Sequence, residues 1–193
     1  IDTRDFTREA VDSDFEAAAF LLPYTDESVL DRVEEPSMSP DVLATLSAAI
    51  RNRRVREDVL TTGVGQIRDR DALAQAADRL LDMEGVSIVV VHGFMNGTVY
   101  ISGRARGTDV DLGEVLRDAL GSIGSAGGHA DMAGAQIPLG ILGAVEEAST
   151  ESLASIVDDV IAGRLFEVLE NPPSAPRRDP AAADIALEFP LDE

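Results

Sequence analysis

Residues 86–103 read VSIVVVHGFMNGTVYISG and carry the clearest structural signal in the chain. The continuous apolar run Val86–Val91 is typical of a buried strand. Asn-Gly is the pair that a two-residue β-hairpin turn favours, because both positions require a positive φ. We therefore predict that Asn96 and Gly97 join this strand to an antiparallel strand over Thr98–Gly103.

Strand and helix patterns alternate on both sides of this hairpin. Val59–Ile67 predicts a strand, and Leu73–Leu81 has the apolar spacing of an amphipathic helix. A later helix is expected to begin at Asp109 or Asp111, and another to cover Thr150–Glu170. This order predicts an α/β fold, with α+β as the alternative, in which helices flank a mixed sheet.

Breaks in these patterns divide the chain into four predicted parts. Residues 1–36 have a helical pattern, and a proline-bounded break at 36–40 introduces a linker helix within residues 37–58. Residues 59–170 form the main domain, and residues 171–193 form a proline-rich, acidic tail. We thus expect a helical segment ahead of the sheet.

The chain is strongly acidic. Of its 193 residues, 36 are Asp or Glu, all 16 basic residues are Arg, and the net charge is -20. Such a domain repels itself in dilute buffer, whereas molar salt shortens the Debye length to about 3 Å. We therefore expect a halophilic, archaeal source, and an acidic protein from an ordinary source is the alternative.

The cellular setting is predicted from what the sequence lacks. It contains no cysteine, which excludes disulfides and thiolate metal sites. No apolar run is long enough to cross a bilayer, and the first residues do not resemble a signal peptide. We expect a cytoplasmic protein and, because the chain begins with Ile1, a piece of a longer one.

Gly127-Gly128-His129 is the first of two candidate phosphate-binding motifs. Consecutive glycines let backbone N–H groups approach an anion, and Ala130–Gly134 is expected to begin a helix whose positive end would contribute. His129 can donate a hydrogen bond to phosphate or act as a general acid. The alternative, which spacing alone favours, is a flexible loop with an incidental histidine.

Ser102, Arg104 and Arg106 form the second motif. Alternate residues of an extended strand share one face, and guanidinium groups bind phosphate bidentately. The alternative is that both arginines pair with nearby carboxylates, for which Asp109 and Asp111 are the candidates.

Other polar residues are predicted to be structural. Four arginines within residues 51–56 suit the C-terminal end of a helix better than a nucleic-acid-binding patch. His92 follows an apolar strand, so we expect it to be structural or exposed rather than catalytic. The sequence contains no complete metal-ligand cluster and no P-loop.

Together, the motifs between residues 59 and 143 resemble the C-terminal domain of DHH-family phosphoesterases. The resemblance rests on Ser102-Gly103-Arg104, Asp109-Val110-Asp111-Leu112, Gly127-Gly128-His129 and Ala133-Gly134. The family's glycine run is shortened here by Ala126, and Met132 stands where the family has Ala. The family includes RecJ-like exonucleases, oligoribonucleases and cyclic-dinucleotide phosphodiesterases.

The first residues carry an independent resemblance. The stretch Asp2-Thr3-Arg4-Asp5-Phe6 is similar to the end of the family's catalytic domain, where an Asp-Thr-x-x-Phe stretch supplies the last Asp ligand of a two-manganese site. This implies that residues 1–36 are the remnant of that domain and that Asp2 binds Mn²⁺ or Mg²⁺. The other metal ligands would lie upstream, so the fragment alone is expected to be inactive.

The resemblance implies that the full-length protein is a metal-dependent phosphoesterase. Its substrates would be short oligonucleotides, nucleotides or the ends of single-stranded DNA or RNA, and residues 59–170 would be the DHH-associated substrate-binding domain. The residues implied at the substrate phosphate are Ser102, Arg104, Arg106, Gly127, Gly128 and His129. A non-catalytic nucleotide- or RNA-binding module and a regulatory ligand sensor are the alternatives, and a homodimer is left open.

Overall fold

The computed structural model describes residues 10–26, 38–144 and 149–170. The chain forms two compact units, Ile1–Ser39 and Pro40–Glu193. Asp2 and the predicted tail after residue 170 lie outside the described residues.

The first unit contains a helix, as the sequence predicted. Helix α1 covers Asp12–Leu21, and a 3-10 turn follows at Leu22–Tyr24. The carboxylate of Asp14 accepts a hydrogen bond from the backbone N–H of Val11 (3.0 Å), which caps the start of the helix.

The second unit is built on a six-stranded sheet. Its strands are β1 Arg54–Arg56, β2 Val59–Gln66, β3 Ile88–Met95, β4 Thr98–Ala105, β5 Ser125–Gly128 and β6 Met132–Pro138. They are accompanied by helices α2 Pro40–Asn52, α3 Asp71–Leu80, α4 Leu112–Leu120 and α5 Thr150–Glu170, and by a 3-10 turn at Gly140–Ala144. The strand order is β1-β2-β3-β4-β6-β5, and the sheet is mixed because β2 and β3 are parallel whereas the other pairs are antiparallel. The predicted α/β architecture is confirmed.

The Asn-Gly hairpin is also confirmed. Asn96 and Gly97 have φ values of 51° and 72°, and Met95 pairs with Thr98 across the turn. Along β3 every residue from Ile88 to Phe94 is buried, as expected for a strand that is covered on both faces.

Two layers of helices cover the sheet. Helices α2 and α3 pack on the face that carries Leu60, Val89 and Val91, whereas α4 and α5 pack on the face that carries Ile88 and Val90. Since α3 contacts β3 and β4, strands β6 and β5 extend beyond it. None of the helices in the described segments is long and apolar enough to cross a membrane.

Two segments differ from their predictions. The residues after His129 do not begin a helix but form β6, because their backbone pairs with β4 on one side and β5 on the other. Likewise, Arg54 and Arg56 do not lie at a helix end: they belong to edge strand β1, which pairs with β2.

Candidate functional site: a cleft over strands β4, β6 and β5

An open cleft of about 460 Å³ lies on the α3 side of the sheet, where β6 and β5 extend beyond the helix. Its floor comes from the three strands, and its wall comes from the first turn of α3 and the residue before it. The lining residues are Arg70, Asp71, Leu73, Ala74, Tyr100, Ile101, Ser102, Ser125, Ala126, Gly127, Gly134, Ala135 and Gln136. Most of them are small or polar, so the cleft exposes backbone as well as side chains.

Strand register arranges this face in three rows. They are the Tyr100 row (Tyr100, Gln136, Ser125), the small row (Ser102, Gly134, Gly127) and the Arg104 row (Arg104, Met132). Neighbouring rows lie about 6.6 Å apart along the strands. The small row is a shallow floor between an aromatic side chain at one end and a guanidinium at the other.

Gly127 leaves open space in the small row. A Cβ added there would meet nothing closer than the Arg117 side chain, at 3.9 Å. Gly128 is different: a Cβ would lie 2.4 Å from the carbonyl oxygen of Met132, and its φ is 151°. The fold therefore requires glycine at 128, whereas at 127 the absent side chain leaves the backbone accessible to a ligand.

Arg104 lies beside the small row and is held by the protein. Its Nε donates to Asp78 (2.7 Å), and its Nη1 donates to the hydroxyl of Ser102 (3.2 Å) and to the carbonyl of Gly103 (2.9 Å). Its Nη2 makes no hydrogen bond to the residues that the structure describes, and 12% of the side chain is exposed. The two N–H donors on Nη2 of a fixed guanidinium thus remain for a ligand.

Arg106 lies further along the same face. It donates to Asp82 (3.2 Å) and to the carbonyl of Leu81 (2.7 Å). Both arginines therefore pair with carboxylates, as the alternative interpretation expected, but the partners are wrong: helix α3 supplies Asp78 and the residues just after it supply Asp82, in place of Asp109 and Asp111. Asp111 accepts a hydrogen bond from the N–H of Glu114 (2.9 Å) and caps α4, as predicted.

His129 is exposed in the turn between β5 and β6. Its backbone N–H donates to the carbonyl of Met132 (2.8 Å), the register partner of Arg104, and its carbonyl accepts from the N–H of Gly113 (3.1 Å). The backbone of His129 is therefore used by the fold, and its imidazole is the group that remains for a ligand.

The structure brings some of the predicted site residues together. Ser102 and Gly127 line the cleft, and Arg104 contacts Ser102 at its border. The cleft lining does not include Arg106, Gly128 or His129.

Tyr100 and Gln136 were not among the predicted site residues. Tyr100 has the same strand parity as Ser102, so alternation along β4 was a signal that could have identified it. No sequence signal indicated Gln136, because β6 itself was not predicted.

The described residues do not fit a metal centre. No three His, Cys, Asp or Glu side chains within them are grouped so that they could hold a metal ion. Asp2, the implied metal ligand, lies outside the described part of the chain.

A separate polar cluster lies under α5, on the opposite face of the sheet. Asp158 contacts Arg54 (2.6 Å) and Nε2 of His92 (3.3 Å), and His92 is only 1% exposed. The His92 contact lacks hydrogen-bond geometry. Gly63 provides the space, since a Cβ there would lie 2.8 Å from His92. His92 and Asp158 are buried, Arg54 is half-exposed, and none of the three lines the cleft, which agrees with a structural role for His92.

The pKa of Asp158 reflects this environment. Burial acts to raise the pKa, but the contact with His92, the charges of His92 and Arg54 and the Gly63 backbone outweigh it. The pKa of Asp158 therefore lies below its ordinary value of 3.8, and the carboxylate is charged at neutral pH.

The four arginines between residues 51 and 56 also contact other residues of this chain. Arg51 donates to Ser47, and Arg53 donates to the carbonyl of Ile50. Arg54 contacts the α5 carboxylates Asp158 and Asp159, and Arg56 contacts Glu170 and stacks on Phe166. These contacts favour a structural role over a nucleic-acid-binding patch.

Comparison with known proteins identifies the family. The DHHA1 domain model matches residues 56–162, and the chain belongs to this family. The uncharacterized protein MJ1633 of Methanocaldococcus jannaschii is 42% identical over 169 residues, which are 87% of this chain and 34% of that protein. The chain thus spans about a third of the length of this curated relative.

Solved structures support the fold. An exopolyphosphatase-related protein from Bacteroides fragilis matches with a TM-score of 0.59 at 15% identity, over 86% of this chain and 46% of that chain. RecJ from Thermus thermophilus, in complex with Mg²⁺, has a TM-score of only 0.40 at 17% identity, over 63% of this chain and 17% of that chain. The first likeness shows a shared fold, and the second is too weak to support an argument.

Proposed function

We propose that the cleft binds the phosphate of a nucleotide or short oligonucleotide and that the chain is the substrate-binding part of a metal-dependent phosphoesterase. The observation that carries this proposal is the small row: Ser102 and Gly127 line one floor, and Arg104 is fixed at its edge. Membership in the DHHA1 family supports the same assignment.

The chemistry of this site suits phosphate. The remaining Nη2 donors of Arg104 carry positive charge, and the Ser102 hydroxyl is a further polar group. Strand β5 is at the edge of the sheet, so one row of its backbone groups has no strand partner. Gly134 lies between Ser102 and Gly127 in the small row, so a phosphate above Gly134 would have the Ser102 hydroxyl on one side and the accessible Gly127 backbone on the other, with Arg104 in the next row. The imidazole of His129 can add a donor from the adjoining turn.

Hydrolysis is assigned to metal ions held outside the described residues, with Mn²⁺ or Mg²⁺ as the proposed cofactor and Asp2 as one ligand. The described residues provide binding and not the activation of water. We therefore expect no manganese-dependent hydrolysis of a dinucleotide by this chain alone. Turnover in such an assay would contradict the proposal that this chain binds the substrate but does not hydrolyse it.

Binding of adenosine 5′-monophosphate to the Arg104→Ala variant tests the proposal. The parent chain is expected to bind, and the variant should bind about 10- to 150-fold more weakly, since a hydrogen bond to a charged group contributes about 1.5–3 kcal/mol. Titration calorimetry measures both affinities.

Arg79→Ala is the matched control. It removes the same charge from an exposed position on α3 that does not line the cleft. Equal affinities of the parent and the Arg104→Ala variant, or an equal loss in both variants, would place phosphate binding elsewhere.

A further inference from the structure

The Tyr100 row closes the end of the cleft opposite Arg104. Tyr100 is half-buried, packs against the apolar core on the α3 side and lines the cleft with the rest of its side chain. Gln136 is exposed beside it on β6. Neither side chain makes a hydrogen bond to another residue in the described ranges, so an aromatic surface and an amide donor and acceptor are available to a ligand.

The charges around the cleft disfavour a ligand made only of phosphates. Within the described lining, Arg70 is the one basic residue, and its Nε lies 3.8 Å from the Asp71 carboxylate. Arg104 at the border is already paired with Asp78. The Arg117 guanidinium, which lies 3.9 Å from the position that a Cβ on Gly127 would take, adds a third cationic group beside the cleft. In a chain of net charge -20, these few groups can balance one phosphate but not an extended polyanion.

We propose that the Tyr100 row is a nucleobase subsite, so that the cleft takes a nucleotide with its base on Tyr100 and its phosphate toward Arg104. This inference rests on the proposed phosphate site. The two outer rows are four residues apart along β4, about 13 Å, which is comparable to the length of a mononucleotide. The small row between them leaves room for the sugar.

Stacking is the interaction that Tyr100 would supply. An aromatic side chain stacks on any base, because every base has a π face, and its ring is held in place here by the core. The Gln136 amide can donate to or accept from the edge of a base. The subsite therefore favours a ligand with a base over one without.

Three probes separate the base from the phosphate: adenosine 5′-monophosphate, ribose 5-phosphate and inorganic tripolyphosphate. In the parent chain the nucleotide should bind about 5- to 150-fold more tightly than ribose 5-phosphate, which is the range that one base–aromatic stack provides. Tripolyphosphate should bind no more tightly than ribose 5-phosphate. Titration calorimetry in one buffer gives all three affinities.

Substitutions at Tyr100 and Gln136 test whether these side chains cause the preference for the nucleotide over ribose 5-phosphate. Tyr100→Leu keeps apolar bulk against the core but removes the ring, so it should erase the preference for the nucleotide and leave ribose 5-phosphate binding unchanged. Tyr100→Phe keeps the ring and should retain the preference. Gln136→Ala changes an exposed side chain without a packing role and should weaken nucleotide binding only.

The outcomes distinguish this inference from the proposed function. If ribose 5-phosphate and the nucleotide bind equally and Tyr100→Leu changes neither, the base subsite is wrong while the phosphate site stands. If tripolyphosphate binds most tightly, the base subsite is also wrong. A greater loss of ribose 5-phosphate binding in Arg70→Gln than in Arg104→Ala would overturn the proposed orientation. If no probe binds, both proposals fail.

Discussion

Gly127 and Gly128 are adjacent residues for which the structure gives different reasons to be glycine. At Gly128 the backbone passes so close to Met132 and Ala133 that no Cβ fits. At Gly127 the nearest group to a Cβ is 3.9 Å away, so packing does not demand glycine. We assign Gly128 to the formation of the turn that follows β5 and Gly127 to ligand access. The two glycines of the sequence motif thus have different roles.

Alanine at each position tests this assignment. Gly128→Ala should lower the free energy of unfolding by about 1–3 kcal/mol, because the new methyl group overlaps backbone atoms. Gly127→Ala should stay within about 1 kcal/mol of the parent, since Gly→Ala at an unstrained position is neutral or stabilising. Urea denaturation measures both, and equal losses of stability would contradict the assignment.

Residue-level predictions from sequence succeeded where the cause is local. Asn96-Gly97 and the Asp111 cap depend on a few neighbouring residues, and both are confirmed. The partner of Arg104 depends on α3 lying beside β4, so Asp78, 26 residues away, carried no local signal.

At the level of elements, the difference between local and long-range causes explains why the strands of the glycine-rich segment were not predicted. Strands β5 and β6 contain mostly Gly, Ala and Ser, and they lack the β-branched alternation by which strands are recognised. They are strands because β4 offers an edge to pair with. The sequence therefore predicted Ser102 and Gly127 as site residues but did not predict the two strands that form most of the floor of the cleft.

Besides its apolar packing on the sheet, helix α5 places one buried carboxylate against three strands. Asp158 contacts Arg54 of β1 and lies against His92 of β3 and Gly63 of β2. Its lowered pKa means that the folded state favours the charged form. The stabilisation is therefore present above the ordinary carboxyl pKa and is lost as the pH falls through the lower, folded-state value.

Asp158→Asn should destabilise the fold at about pH 7 by about 1–3 kcal/mol, because Arg54 and His92 lose their charged partner. As the pH is lowered below about 4, the parent should lose stability more steeply than the variant. Asp159→Asn is the control, since Asp159 also contacts Arg54 but is 64% exposed. Thermal denaturation followed by circular dichroism checks this, and a fully stable Asp158→Asn variant at neutral pH would refute the role of the cluster.

The whole molecule carries a net charge of -20 and no lysine. Like charges on one compact chain repel, and the repulsion weakens as salt shortens the Debye length from about 10 Å at 0.1 M to about 3 Å at 1 M. The folded state should therefore be more stable in concentrated salt.

Melting temperatures from dilute buffer to molar KCl test this expectation. We expect the melting temperature to rise with KCl and to level off near molar concentration, where screening is nearly complete. A melting temperature that stays constant across the series would mean that surface repulsion does not limit stability and would remove the physical support for a salt-adapted source.

The most direct test of the phosphate site is a map of where a nucleotide binds. Amide NMR spectra of the nitrogen-15-labelled chain, titrated with adenosine 5′-monophosphate, report every backbone N–H separately. We predict saturable shifts at Ser102, Gly127 and Gly134 and at the side-chain Nε–H of Arg104. Shifts confined to the arginine-rich residues 51–56, or no shifts at all, would contradict the assignment of the cleft as the phosphate site.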